Sequence, residues 1–259
     1  NFAIEKAERI QQTLEALKKF LEFSNNYNWF ASAKNRSSIP LYILAYHIFH
    51  SQKEDADLPT MFDNYDTGNK NYLNMKKWLS ISLLNFIFSR GCGWIPYKTG
   101  IRKLHDELKK HKGKIFPTDE LFQVCTAHPL HIFITTAKPA NINNFDRDYL
   151  FYLIYEGKSG LKVEDVDHIH PKKLLAAKNF SDEQINHVAN FELLDSDTNR
   201  NEKRAQELSD WINKFVVDKN AYIVRHLIPA DKNLWQTSNF ESFLAERSKM
   251  IADKINKSI

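Results

Sequence analysis

Residues 166–171, Val166-Asp167-His168-Ile169-His170-Pro171, set a carboxylate beside an imidazole at the end of an extended run that a proline stops. Alone, a strand end capped by satisfied polar side chains would read the same way. A second polar stretch begins 22 residues after His168, as Asn190-Phe191-Glu192-Leu193-Leu194 and then Asp195-Ser196-Asp197-Thr198-Asn199-Arg200-Asn201-Glu202-Lys203-Arg204. Together the two stretches hold the parts of a metal-assisted phosphodiester cleavage. The Asp167 carboxylate and the Asn199 amide oxygen are hard ligands suited to Mg²⁺ or Mn²⁺, with water and phosphate oxygens completing an octahedron. His168 titrates in the right range to take a proton from an attacking water. A helix opening at Thr198 or Asn199 would aim backbone N–H groups and its positive dipole end at a phosphate. Arg200, Lys203 and Arg204 would hold the flanking backbone.

Positioning these groups requires two short strands and a helix. Residues 161–166 alternate as a half-buried strand does, 189–194 form a second strand candidate, and the helix runs from about 198 through Trp211. A final helix spans about 240–256. The first 155 residues read differently, as a series of helices. Phe2, Ile10, Leu14, Leu17, Phe20 and Leu21 recur at helical steps. Pro40 opens a helix over 41–49, as a proline in the first turn can. Further helices are expected over 72–89, 97–112, 117–124 and 146–155, the last stopped by Gly157. No internal repeat or low-complexity segment is present.

Composition excludes several alternatives. The chain has 259 residues, 42% of them hydrophobic, which is enough apolar mass for a real core. Its 7 glycines are spaced so that neither a phosphate-cradling G-x-x-x-x-G-K-[ST] loop nor a G-x-G-x-x-G dinucleotide fingerprint occurs. Two cysteines, Cys92 and Cys125, cannot build a zinc cage or a disulfide framework, and they read as free thiols of a reducing, cytoplasmic compartment. The longest apolar run, 79–89, is far short of a membrane span. The chain opens on Asn1 within a helical pattern, as the C-terminal piece of a longer protein or a trimmed chain would.

The Asp167–Pro171 element, the Asn190-x-x-Leu193-Leu194 strand and Asn199 nine residues after Asn190 resemble the ββα-metal HNH nuclease motif in its zinc-free form. That resemblance implies Asp167 as the first metal ligand, His168 as general base, Asn199 as the second ligand and Asn190 as the residue that orients the catalytic loop. It implies one Mg²⁺ or Mn²⁺ and no structural zinc. Residues 147–255 are similar to the C-terminal nuclease region of GmrSD-type anti-phage restriction proteins, through Leu150–Tyr155, Trp211-Ile212, His226–Pro229 and Asn239–Arg247. Those proteins join a ParB-like NTPase domain to a helical region and an HNH nuclease, so such a domain is expected outside this chain. Two departures stand out. The strand opens Ala189-Asn190 where the family often has Gly-Asn. The family's Asn-x-x-Lys is one residue longer here, which leaves Asn201 as an alternative ligand to Asn199.

The fold class expected is therefore α+β and predominantly α-helical. A helical region, 1–145, precedes an HNH module with C-terminal helices, 146–259. The activity expected is metal-dependent DNA cleavage by water attack, nicking or double-stranded, and an oligomer is compatible with it. The alternatives are a non-catalytic DNA-binding or regulatory module with the same ββα shell, and a nuclease acting on RNA. His170 shares the face of His168 and is read as either a surface histidine or a helper at the phosphate. Glu192 is expected to be exposed, His187 solvated, and the His128/His131 pair structural. The net charge of +4 is uneven, because 98–114 holds seven bases, among them Lys103, Lys109 and Lys110, and two acids. Beside a nuclease motif, such a stretch is as suited to tracking a DNA backbone as to forming a solvated helix face.

Overall fold

The computed structural model describes residues 2–31, 38–51, 69–88, 100–127, 132–157, 164–195, 203 and 205–259. Contacts divide the chain into two units, Asn1–Thr136 with Ile259, and Ala137–Ser258. This division lies ahead of the 145/146 boundary expected from the sequence. Among the described residues the chain is predominantly helical with one small two-stranded sheet. No helix there is long and apolar enough to cross a membrane.

The first unit contains α1 (Phe2–Phe23), α2 (Tyr27–Ala31), α3 (Ile39–His50), α4 (Lys70–Leu84), α5 (Ile101–Lys110) and α6 (Thr118–Thr126). Pro40 sits in the first turn of α3, where its missing N–H removes no hydrogen bond. Asn69 caps α4 by accepting from the Tyr72 amide. The core gathers around Trp78, whose ring lies 6.0 Å from that of Phe122 and 6.4 Å from those of Phe88 and Phe116. Cys125 is buried there as a free thiol, and burial pushes its pKa up. Cys92 and the His128/His131 pair lie outside the described residues.

The second unit contains α7 (Arg147–Ile154), β1 (Glu164–His168), α8 (Lys172–Ala177), α9 (Asp182–Ile185), β2 (Phe191–Asp195), α10 (Leu208–Lys214), α11 (Lys219–Arg225) and α12 (Phe240–Ser258). Asp146 caps α7 by accepting from the Tyr149 amide, and Gly157, at φ 68°, lets the chain leave that helix in the left-handed region. Ser181 and Gln184 close a reciprocal capping box on α9. Strands β1 and β2 pair antiparallel, with Asp167 opposite Glu192 and His168 opposite Phe191. The sheet rests on a core that includes Ile169, Leu194, Trp211, Ile228, Trp235 and Phe243. Each such side chain, fully buried, stabilises by about 1.5–3 kcal/mol.

Two expectations about local structure are corrected. In its described part the first strand spans 164–168, past the end expected at 166, so Asp167 and His168 lie within it and not beyond its end. The helix expected from about 198 to Trp211 begins only at Leu208 in its described part. Glu207 directly before it is drawn away from the helix, since its carboxylate accepts from the Thr237 amide at 3.1 Å and the Thr237 hydroxyl at 2.7 Å.

Candidate active site

Strand alternation separates the two chemical groups of β1 onto opposite faces of the ribbon. On one face, Asp167 sits across from Glu192. On the other, His168 lies against Phe191, with ring centroids 4.6 Å apart. Directly after the strand the chain turns through Ile169 and His170 into α8. Asn190 pins that turn. Its Oδ1 accepts from the His170 amide at 2.9 Å, and its Nδ2 donates to the carbonyls of His170 at 3.2 Å and Ile185 at 2.9 Å. Asn190 is fully buried, so these three bonds replace water completely.

His168 remains partly open to solvent. Its Nε2 lies 3.1 Å from Asn186 Oδ1, and among the described residues its Nδ1 makes no hydrogen bond. An amide oxygen can only accept, so that contact places the proton on Nε2 and leaves the Nδ1 lone pair free. Burial lowers the pKa of His168 below its ordinary value, opposed by the Asn186 bond and the Asp167 charge, and assisted by Lys203 and Lys172. Arg147, from the start of α7, stands over the Phe191 ring at 5.5 Å from its centroid.

The Asp167 side of the ribbon carries a buried charge network. The Lys203 ammonium, fully enclosed, donates to Asp167 Oδ2 at 2.7 Å, to the His168 carbonyl at 2.8 Å and to Glu192 Oε1. Glu192 is also fully enclosed. The Tyr222 hydroxyl lies 2.9 Å from its Oε1 and 2.7 Å from its Oε2, and His226 Nδ1 lies 3.2 Å from Oε2. Burial would raise the pKa of Glu192, but Lys203, His226 and the Tyr222 hydroxyl outweigh it and hold the group below the ordinary carboxylate range. Tyr155 Oη, 2.9 Å from His226 Nδ1, also accepts from the Leu193 amide at 3.2 Å. Behind them the buried Arg247 guanidinium donates to the carbonyls of His226 and Ala189. The C-terminal helices thus hold β2 and the turn before it by hydrogen bonds as well as by apolar packing, while Lys203 carries the polar tie to β1.

Several expected placements change. Lys203, expected to grip DNA, faces inward, because two carboxylates and a carbonyl take all its donors. Glu192, expected to be exposed, is buried, because it shares the inward face of β2 with Leu194. His170 is buried rather than at the surface. Its ring packs 4.4 Å from that of Phe243, and burial pushes its pKa down to about 3. His187 is half-buried, with its Nδ1 accepting from the Ala189 amide at 3.1 Å. Asn199, Arg200, Asn201 and Arg204 lie outside the described residues. In the first unit, Lys103, Lys109 and Lys110 are exposed on α5, where Lys109 pairs with Asp106 at 3.2 Å and Lys110 with Glu107 at 2.6 Å.

Among the described residues no three His, Cys, Asp or Glu side chains converge as a metal cage. Asp167 offers a single hard donor. With Oδ2 held by Lys203, its Oδ1 makes no hydrogen bond among the described residues, and its side chain is 21% exposed. A partly exposed carboxylate with one oxygen unbonded among the described residues is the kind of donor an oxygen-preferring divalent ion takes. No family model, curated protein or solved structure matches the chain.

Proposed function

We propose that this chain is a divalent-metal-dependent DNA endonuclease built on a ββα-metal, HNH-type site, and that it serves as the nuclease part of a bacterial anti-phage restriction system. The observation that carries the reading is the pairing at the end of β1. Among the described residues Asp167 has one carboxylate oxygen without a partner, and the next residue, His168, has its Nδ1 without one, with the opposite nitrogen held by Asn186.

In this reading His168 Nδ1 takes the proton of a water attacking phosphorus. Its lowered pKa keeps it in the base form at neutral pH. Asn186 fixes the ring orientation and Phe191 backs it. Asn190 holds the turn after the strand, and so the direction in which β1 presents its last residues. Asp167 would hold Mg²⁺ or Mn²⁺ together with Asn199 or Asn201. A bound divalent ion there supplies charge neutralisation at the phosphate and at the leaving oxygen. Arg147 and Lys172 are the described cations near His168 suited to a flanking phosphate. The basic face of α5 supplies a non-specific grip on DNA. A ParB-like NTPase domain, as in the similar restriction proteins, would provide control by nucleotide, in the cytoplasm.

The test is plasmid cleavage by wild type and His168→Ala, with Mg²⁺ or Mn²⁺ and in chelator, alongside a single-stranded RNA substrate. Metal-dependent nicking or linearisation by wild type, lost in the variant, is expected. Full activity of His168→Ala overturns the assignment. No cleavage by a folded wild type favours the non-catalytic DNA-binding module, and preference for RNA favours the RNA nuclease.

A further inference from the structure

A lysine next to a proposed metal ligand would ordinarily be assigned to the substrate phosphate. The surroundings of Lys203 argue otherwise. Its side chain is 0% exposed, and three fixed oxygens surround its nitrogen: Asp167 Oδ2, the His168 carbonyl and Glu192 Oε1. An ammonium has three protons, so all its donors are used. Glu192 is itself immobilised by Tyr222 and His226. The ammonium therefore cannot swing out to a phosphate without leaving a buried carboxylate unpaired, which costs several kcal/mol.

We propose that Lys203, seated on Glu192, is the positioning residue of the metal site. It locks Asp167 in one orientation, restricts that carboxylate to its Oδ1 oxygen for an incoming cation, and holds down the site's affinity for divalent ions. The proposal rests on the nuclease reading and adds to it a device that regulates the same site. Two physical consequences follow. First, a fixed positive charge on the same carboxylate repels a divalent ion. Glu192 lies one residue farther along this chain of contacts and offsets that repulsion only in part. Second, with Oδ2 released, Asp167 can rotate or bind a cation through both oxygens, which displaces the cation from its working position. Removing the lysine should thus strengthen ion binding and weaken turnover together. A purely architectural lysine gives no such split, since loosening the fold weakens both.

The experiment is a Mn²⁺ titration, followed by the EPR signal of free Mn²⁺, on wild type, Asp167→Ala, Lys203→Met and the double variant Glu192→Gln with Lys203→Met. Plasmid cleavage at saturating Mn²⁺ is measured in parallel. The double variant removes both buried charges together, so that it folds even where the single variant does not. Wild-type binding that Asp167→Ala abolishes establishes the site. The double variant should then bind Mn²⁺ about tenfold more tightly and turn over about 10–100-fold more slowly. Unchanged or weaker Mn²⁺ binding by the double variant, with Asp167-dependent binding intact in wild type, overturns the proposal and leaves the nuclease reading standing. Wild-type binding indifferent to Asp167→Ala overturns both.

Discussion

Asp167 and Glu192 face each other across the two strands, and the same Lys203 ammonium bridges them, 2.7 Å from Asp167 Oδ2. A surface-reaching carboxylate is thereby tied to a buried one, and both are tied through Tyr222 and His226 to α11 and the turn after it. The ribbon is too short to be stable alone, since a two-stranded hairpin is marginal in water. The buried network and the helical core beneath it make up the difference.

Truncating one side of this network should be worse than removing both. Lys203→Met leaves the Glu192 carboxylate buried against two hydroxyl and imidazole donors and no cation, a loss of about 3–5 kcal/mol. Adding Glu192→Gln to that variant should restore a large part of it, because an amide tolerates burial with Tyr222 as partner. Urea unfolding of the two single variants and the double variant measures this directly. Strictly additive losses would mean that the two groups do not act as a pair.

Asn190 carries the link between the strand end and the loop before β2. Asn190→Ala leaves the His170 amide and two carbonyls without their partners in a fully buried place. The expected loss is about 2–4 kcal/mol of stability. Because that turn sets the exit direction of β1, cleavage should fall further than the unfolded fraction explains. Activity measured well below the melting temperature separates the two effects, and activity that simply tracks the folded fraction would remove Asn190 from the orienting role.

Much of this architecture is legible in the sequence. The stop of α7 follows from Gly157, which acts over one helical turn, whereas Asp146, expected inside the helix, is its cap. The apolar periodicity of α3 and α4 reports burial in the same local way; in α1 it does so for Leu17, Phe20 and Leu21, whereas Ile10 and Leu14 are exposed. The strand pair follows from alternation, with described ends shifted by one to two residues because the ends of a strand are decided by what it pairs with. What escaped was long-range. Lys203 reads as solvent-facing in a polar run, and only its meeting with Asp167 and Glu192 turns it inward. Glu192 could have been read correctly, since it shares a face with Leu194. Arg247 follows Phe240, Phe243 and Leu244 at helical spacing and precedes Ile251, a core position marked by pattern alone. Asn186 has no such signal, because its contact with His168 depends on how α9 folds back.

Acid should weaken the second unit through its buried imidazoles. Burial lowers His170 to about 3 and His226 to about 4, so both are neutral in the folded protein. Unfolded, they return to about 6.5 and bind protons that the native state does not. As pH falls below 6.5, stability drops, with each group contributing a slope of about 1.4 kcal/mol per pH unit until its folded-state value is reached. His170→Leu keeps the apolar contact with Phe243 and removes one of these terms. Its unfolding free energy between pH 6 and 4 should therefore depend less on pH than that of wild type, by about that slope. Equal slopes would mean that His170 takes up its proton without unfolding.

The cleavage rate should follow the opposite group, the half-exposed His168. Its pKa lies below the ordinary value because burial disfavours the charged ring. The base form thus persists into mildly acidic solution, and the rate should fall only as pH drops through a value under 6.5. Asn186→Asp places a negative charge against Nε2, which favours the charged ring and raises that pKa. The acidic limb of the rate profile should then move to higher pH, while the plateau persists because the acceptor on Nε2 is kept. Asn186→Leu removes the acceptor, so the plateau itself should fall, by about 10–100-fold if a group that holds a catalytic imidazole counts as much here as around a metal. A rate profile that neither substitution changes would show that His168 does not take the proton of the attacking water.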